Sequence, residues 1–146
     1  MDHPAAGFAD IVTSRRSIRR FLPTPVPPDT LLALLDLAAR APSGVNTQPW
    51  QVHALSGESK AALSAALLAE YAAPSFEHQG EYAYYPADWQ EPYLGRRRQT
   101  GVALYAQLGI PKGDTARMRA QWARNYLFFD APVGLIFTAD KCLGQG

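Results

Sequence analysis

Cysteine is almost missing from this chain: Cys142 is the single one among 146 residues. An internal disulfide is therefore excluded, and the usage suits a reducing cytosol. Histidine is nearly as scarce. His3, His53 and His78 stand far apart, none at metal-ligand spacing with another ligand, which argues against a metal site. No apolar run approaches the roughly 20 residues that cross a bilayer, so no membrane partner is expected. The opening MDHPAAGFAD has neither a basic n-region nor a long apolar stretch, so a secretory signal is not expected either. Net charge is only +1, which gives no general attraction for nucleic acid.

What is present is a chain of one-domain length, expected as a single domain over 1–146, with the 47% hydrophobic and 18% charged content of a soluble globular protein. The basic residues are unevenly chosen and placed. Eleven of fourteen are Arg, and seven of these form two clusters, Arg15, Arg16, Arg19, Arg20 and Arg96, Arg97, Arg98. Arginine offers a planar fork of donors that fits phosphate or carboxylate, where lysine offers a point charge. A solvated basic face is the plainer account of such clusters.

Periodicity gives a coarse outline. Phe8, Ile11 and Val12 keep helical spacing, so a first helix is expected from Ala5 to about Ser14. LPTPVPP cannot be helix, and Pro28, Asp29 and Thr30 then signal a helix start. Leu31, Leu34, Leu35 and Ala38 form its stripe, widened by Leu32 and Leu37, and Pro42 ends it. Gln51 to Leu55 reads as a strand with Trp50, Val52 and Ala54 on one side. A third helix is expected over Ser59 to Ala72, with Leu63 and Leu67 inward. Residues 74–93 carry six aromatics without a period, as in a functional lid, a disordered stretch or an aromatic surface covering; their composition and length make them a candidate for shaping a substrate pocket. A fourth helix should run from about Tyr93 to Leu108. Asp114 can cap a fifth over Thr115 to Phe129, its Met118, Trp122, Asn125, Tyr126 and Phe129 near one face. VGLIFTA, residues 133–139, is apolar on both faces, as in a strand inside a sheet.

The balance is odd: five helices, two strands, one of them central in character. A central strand needs neighbours on both sides, yet only seven residues follow it. Either another chain supplies the missing strands or this sequence is the front part of a longer protein. The second is the expectation: a domain C-terminally incomplete, with the remaining strands beyond residue 146.

Two stretches carry chemistry. In RRSIR the forks of Arg15, Arg16 and Arg19 and the Ser17 hydroxyl could converge on one phosphate, with Ile18 as an apolar pin. In PSGVNTQPW, Pro42 fixes the helix exit and Gly44 permits a backbone path or a close approach closed to other residues. Ser43, Asn46 and Gln48 both donate and accept hydrogen bonds, which suits a planar heterocycle. A well-capped helix-to-strand loop is the plainer account of this stretch.

RRSIRRF, then about twenty residues of Pro-rich connector and helix, then APSGVNTQPW, together resemble the opening of the FMN-dependent nitroreductase family. FFDAPVGLIFTAD resembles that family's buried central strand. The resemblance implies an α+β fold, nitroreductase-like, with helices around a mainly antiparallel sheet. It also implies a homodimer with FMN at the interface and NAD(P)H as co-substrate. On that similarity Arg15, Arg16 and Ser17 would hold the FMN phosphate and ribityl chain, and Arg19 would lie beside the pyrimidine edge of the ring. Pro42, Ser43, Gly44 and Asn46 would reach the same flavin from the partner subunit, with Gln48 nearby. A fixed cation near the flavin N1 and C2=O favours the reduced form on physical grounds alone. The reaction implied is ping-pong reduction of a small-molecule acceptor, a nitroaromatic, quinone or similar, with no general acid or nucleophile assigned to the protein. Family members continue past this point with more strands, a partner-wrapping extension and further flavin contacts. A non-catalytic flavin- or nucleotide-binding fragment is the alternative, and an RNA- or phosphate-binding protein using its Arg clusters is a third reading, disfavoured by the near-neutral charge.

Overall fold

The computed structural model describes residues 7–73 and 83–143. Five helices and two strands follow in the order α1 (Phe8–Ser14), α2 (Pro28–Ala38), β1 (Gln51–Ser56), α3 (Gly57–Ala72), α4 (Tyr93–Gln107), α5 (Thr115–Ala123) and β2 (Val133–Thr138). The expected start of α1 at Ala5 lies outside the described residues. None of the helices is long and apolar enough to cross a membrane among the described residues.

Local chemistry explains most boundaries. Asp10 reaches back to accept the Gly7 N–H at 3.2 Å, closing the first turn of α1. Pro28 opens α2, where its missing N–H is no loss. The Asp114 carboxylate accepts the Arg117 N–H at 3.0 Å and caps α5 as expected. Gly109, at φ +61°, ends α4: the Ile110 N–H reaches the Tyr105 carbonyl at 2.9 Å and the Gly109 N–H that of Ala106 at 3.1 Å. That pair of bonds is a Schellman closure.

α5 is shorter than the sequence suggests. It was expected to reach Phe129 and stops at Ala123. Turns continue to Leu127, and Phe128, Phe129 and Asp130 then follow at φ +53°, +51° and +64°. The Phe129 N–H bonds the Arg124 carbonyl at 3.0 Å and the Phe128 N–H that of Asn125 at 3.0 Å. This is again a Schellman closure, with phenylalanine where glycine is usual. No glycine marks it in the sequence.

The two strands pair antiparallel, Gln51 opposite Thr138 and Ser56 opposite Val133. α3 packs on both, with Leu63, Ser64, Leu67 and Leu68 turned towards them and Ser64 buried. α2 lies over Trp50 and Val52 with Leu31 and Leu35 half-buried; Leu32, Leu34 and Leu37, expected in the same stripe, are exposed. Ala54, expected to share the face of Trp50 and Val52, is also exposed. A latch joins α3 to α5: the Arg119 guanidinium donates to the Tyr71 carbonyl at 2.8 Å and lies 5.0 Å from the Tyr71 ring centroid. Trp122 Nε1 donates to the Tyr105 hydroxyl at 2.9 Å and ties α5 to α4.

The described residues enclose no apolar core. No apolar side chain among the described residues is buried, and Phe8, Ile11, Val12 and Phe137 are each more than half exposed. The accessible surface is 12613 Å², whereas a compact monomer of this mass exposes roughly 7,400 Å². β2, central in its composition, has β1 as its single partner among the described residues.

Candidate functional site

The corner beyond α1 forms because Arg15 leaves helical geometry at φ −54°, ψ 132°. Arg16 folds back on the helix end, donating from Nη1 to the carbonyls of Thr13 at 2.8 Å and Arg15 at 2.9 Å. A cation there satisfies orphan carbonyls and the negative end of the helix dipole. Arg15 Nη1 instead meets the Ser17 hydroxyl at 3.4 Å, and Arg19 Nη1 donates to the Ser17 carbonyl at 3.3 Å. Arg15, Ser17 and Arg19 therefore gather about one residue, while Arg16 is turned to backbone. Ile18, expected as an apolar pin, is instead 61% exposed. Arg19 also faces the ring of Phe129, its Cζ 5.9 Å from the centroid.

The bend 42–48 is braced from within. Ser43 Oγ accepts the Gln48 N–H at 2.9 Å, the Asn46 N–H reaches the Ser43 carbonyl at 3.0 Å, and Gln48 Nε2 donates to Asn46 Oδ1 at 2.9 Å. Left-handed backbone is found here, though not where it was expected. Gly44 is outside the left-handed region and an ideal Cβ on it would meet nothing within 4 Å. Val45 (φ +45°), Asn46 (φ +58°) and Gln48 (φ +48°) adopt it instead. Asparagine tolerates this conformation; β-branched valine does not.

Among the described residues no hydrogen bond, ion pair or ring contact joins residues 15–19 to 42–48. The arginine corner borders a cleft of about 390 Å³ lined by Arg19, Arg20, Leu104, Gln121, Arg124 and Asp130. Arg124 and Asp130 form an ion pair across it at 2.8 Å. The bend leads to Trp50, which lines a different cleft of about 380 Å³ with Leu35, Val52 and Phe137.

The described part of the aromatic segment, 83–93, forms a third feature. Arg97 lies 5.0 Å from the Trp89 centroid and 5.7 Å from that of Tyr85, which packs edge-on to Tyr84 at 4.8 Å. The expected role of this segment in shaping a pocket also involves residues 74–82, which lie outside the described residues.

The model of the nitroreductase family matches residues 12–145. The chain belongs to the nitroreductase family. It is 42% identical over 136 residues to a 4-nitrobenzoate reductase of Pseudomonas putida, spanning 93% of this chain and 59% of that protein. It is 38% identical over 141 residues to a nitrobenzene nitroreductase of Ectopseudomonas oleovorans, spanning 96% and 62%. The chain thus spans about three fifths of the length of these nitroreductases. The crystal structure of the FMN and NADPH-dependent nitroreductase NfnB from Sphigopyxis sp. strain HMH superposes with a TM-score of 0.87 at 37% identity, over 95% of this chain and 62% of that one. The expected α+β, nitroreductase-like fold is borne out.

Sequence reasoning missed Phe129 and the Arg124–Asp130 pair as neighbours of the arginine corner. The helical period placed Phe129 on the α5 stripe. Only knowledge of the left-handed turn moves it off.

Proposed function

We propose that the protein is an FMN-dependent oxidoreductase that takes electrons from NAD(P)H and passes them, by a ping-pong mechanism, to nitroaromatic, quinone or similar acceptors. It acts as a homodimer in the cytoplasm. The observation that carries this reading is the grouping of Arg15, Ser17 and Arg19 around a single residue inside a nitroreductase chain.

The donor set suits the cofactor. Arg15 and Ser17 offer a guanidinium fork and a hydroxyl to a phosphate, a charge-assisted pairing of the strong kind. Asn46 uses its oxygen and Gln48 its nitrogen on each other, which leaves the Asn46 Nδ2 donors and the Gln48 Oε1 acceptor for a heterocycle with both kinds of edge. Pro42 and Ser43 hold that bend at the end of α2, and the strained Val45–Asn46 backbone fixes its shape. FMN, when bound, supplies the hydride and electron transfer. The residues of the chain bind and orient it, and Arg19 provides a fixed positive charge where negative charge develops on reduction.

Two surfaces of this chain that do not meet each other, the 15–19 corner and the 42–48 bend, fit a site completed by a second copy. The exposed Phe8, Ile11 and Val12 on α1 and the large accessible surface support the same arrangement. The 42% identity to a 4-nitrobenzoate reductase supports the nitroaromatic acceptor.

The test is optical. Purified protein is expected to be yellow, to bleach under NAD(P)H and to recover its colour with a nitroaromatic, with parallel lines in double-reciprocal plots. Colour that NAD(P)H does not bleach would instead support a flavin-binding module without catalysis. Protein that neither retains nor takes up FMN overturns the reading.

A further inference from the structure

We propose that Phe129 is a positioning residue for Arg19, holding its guanidinium in one place so that the charge sets the reduction potential of the cofactor. This rests on the flavin reading of residues 15–19 and adds a residue to it.

Arg19 is exposed and its hydrogen bond to the Ser17 carbonyl, at 3.3 Å, is long. One such bond leaves a long side chain free to sweep. A charge acts on a neighbouring group in inverse proportion to distance, so a wandering guanidinium has no fixed electrostatic effect. The Phe129 ring, 5.9 Å from Arg19 Cζ, is the second restraint, within reach of a cation–π contact.

Phe129 is brought there at a cost to the backbone. A continued α5 would carry it on the stripe of Met118, Trp122 and Tyr126. Three successive left-handed residues redirect the chain instead, and each flanking residue is anchored. The Phe128 ring lies on Gly134 so closely that an added Cβ would come within 2.6 Å of it. The Asp130 carboxylate is held by Arg124 at 2.8 Å. Strained backbone persists where its surroundings over-determine it, and such sites are functional more often than chance. Phe129 lies between the two anchors, and its own ring contact is with Arg19. Arg20 and Arg124 line the same cleft and Asp130 is its carboxylate, so without a ring contact Arg19 would be pushed by like charges and drawn to one acid.

The experiment is a dye-referenced redox titration of FMN bound to wild type, Arg19→Ala, Phe129→Leu, Phe129→Tyr and the Arg19→Ala/Phe129→Leu double variant. Arg19→Ala should move the midpoint to more negative potential. Phe129→Leu should move it the same way by a smaller amount, and Phe129→Tyr should keep the wild-type value. The double variant should match Arg19→Ala alone, because the ring acts through the charge. A wild-type midpoint in Phe129→Leu, or a double variant shifted beyond Arg19→Ala, overturns the proposal. An unshifted Arg19→Ala with FMN bound overturns it together with the electrostatic role of Arg19, and loss of FMN from wild type sinks the flavin reading itself. Should Phe129→Leu not fold, wild-type NMR decides: ring-current displacement of the Arg19 side-chain protons is expected, and random-coil shifts overturn the contact.

Discussion

Single residues here are best judged by what they leave unmet. Ser64 is 5% exposed and its hydroxyl has no hydrogen-bond partner among the described residues. A buried hydroxyl without a partner loses hydration and gains nothing. Ser64→Ala is therefore expected to stabilise the chain by about 1 kcal/mol, read as a rise in the urea midpoint with unchanged slope. At the other end, the Asp140 carboxylate accepts the Cys142 N–H at 2.8 Å and also hydrogen-bonds the thiol, which lowers its pKa, while the same carboxylate raises that of Cys142. A depressed carboxylate lends stability above its ordinary range and loses it as pH falls through the folded value. Both groups are exposed, so the effect belongs to reactivity more than to folding. Alkylation follows the thiolate, so Cys142 should react with iodoacetamide more slowly at pH 8 in the wild type than in Asp140→Asn, with its titration midpoint above the ordinary 9.0. Equal rates would show that the carboxylate does not face the thiol.

At the level of elements, legibility followed the conformational labels that residues carry. Proline at 28 and aspartate at 114 announce the starts of α2 and α5, and both helices start where they put them. Pro42 was expected to end α2, but the helix already stops at Ala38. The end of α5 has no such label. Phe128 takes the left-handed position because its ring finds a flat seat on Gly134, a fact of tertiary packing that no local pattern encodes. The α2 stripe was legible as a period but not as a burial pattern, since this chain does not cover Leu32, Leu34 and Leu37. In the candidate site the polar residues of the bend were readable by type, while the strain was not: it falls on Val45 and spares Gly44. Two tests follow. Gly134→Ala drives a methyl into the Phe128 ring and should destabilise by about 1–3 kcal/mol. In a Phe128→Ala background the methyl finds room, so the added loss should be much smaller; equal losses would separate the two residues. Val45 is 97% exposed, so little packing is lost on replacement. Val45→Asn should raise stability by about 1 kcal/mol through relief of a left-handed β-branched residue. A fall in stability would mean that the valine side chain has a partner that this chain alone does not supply.

At the scale of the molecule, the proposed site has a signature that no single variant can give. If the corner of one protomer and the bend of its partner build each site, two lesions in different chains can complement. A corner variant (Arg15→Ala/Ser17→Ala) and a bend variant (Asn46→Ala/Gln48→Ala) should each fail to retain FMN as homodimers. Mixed and allowed to exchange, they form mixed dimers in which one site carries both lesions and the other carries neither. With random pairing about half of the dimers are mixed, so FMN capacity should return to roughly a quarter of that of wild type. A site built within one protomer predicts no recovery at any mixing ratio, because every chain then carries a lesion in its own site. The outcome also bears on the surface that this chain leaves open. If exchange restores flavin, the two-fold contact is part of the binding site, and the apolar face of α1 becomes the first place to look for it: Phe8→Ser/Ile11→Ser should then weaken dimerisation in sedimentation and lower FMN affinity in parallel, although neither residue belongs to the corner or the bend.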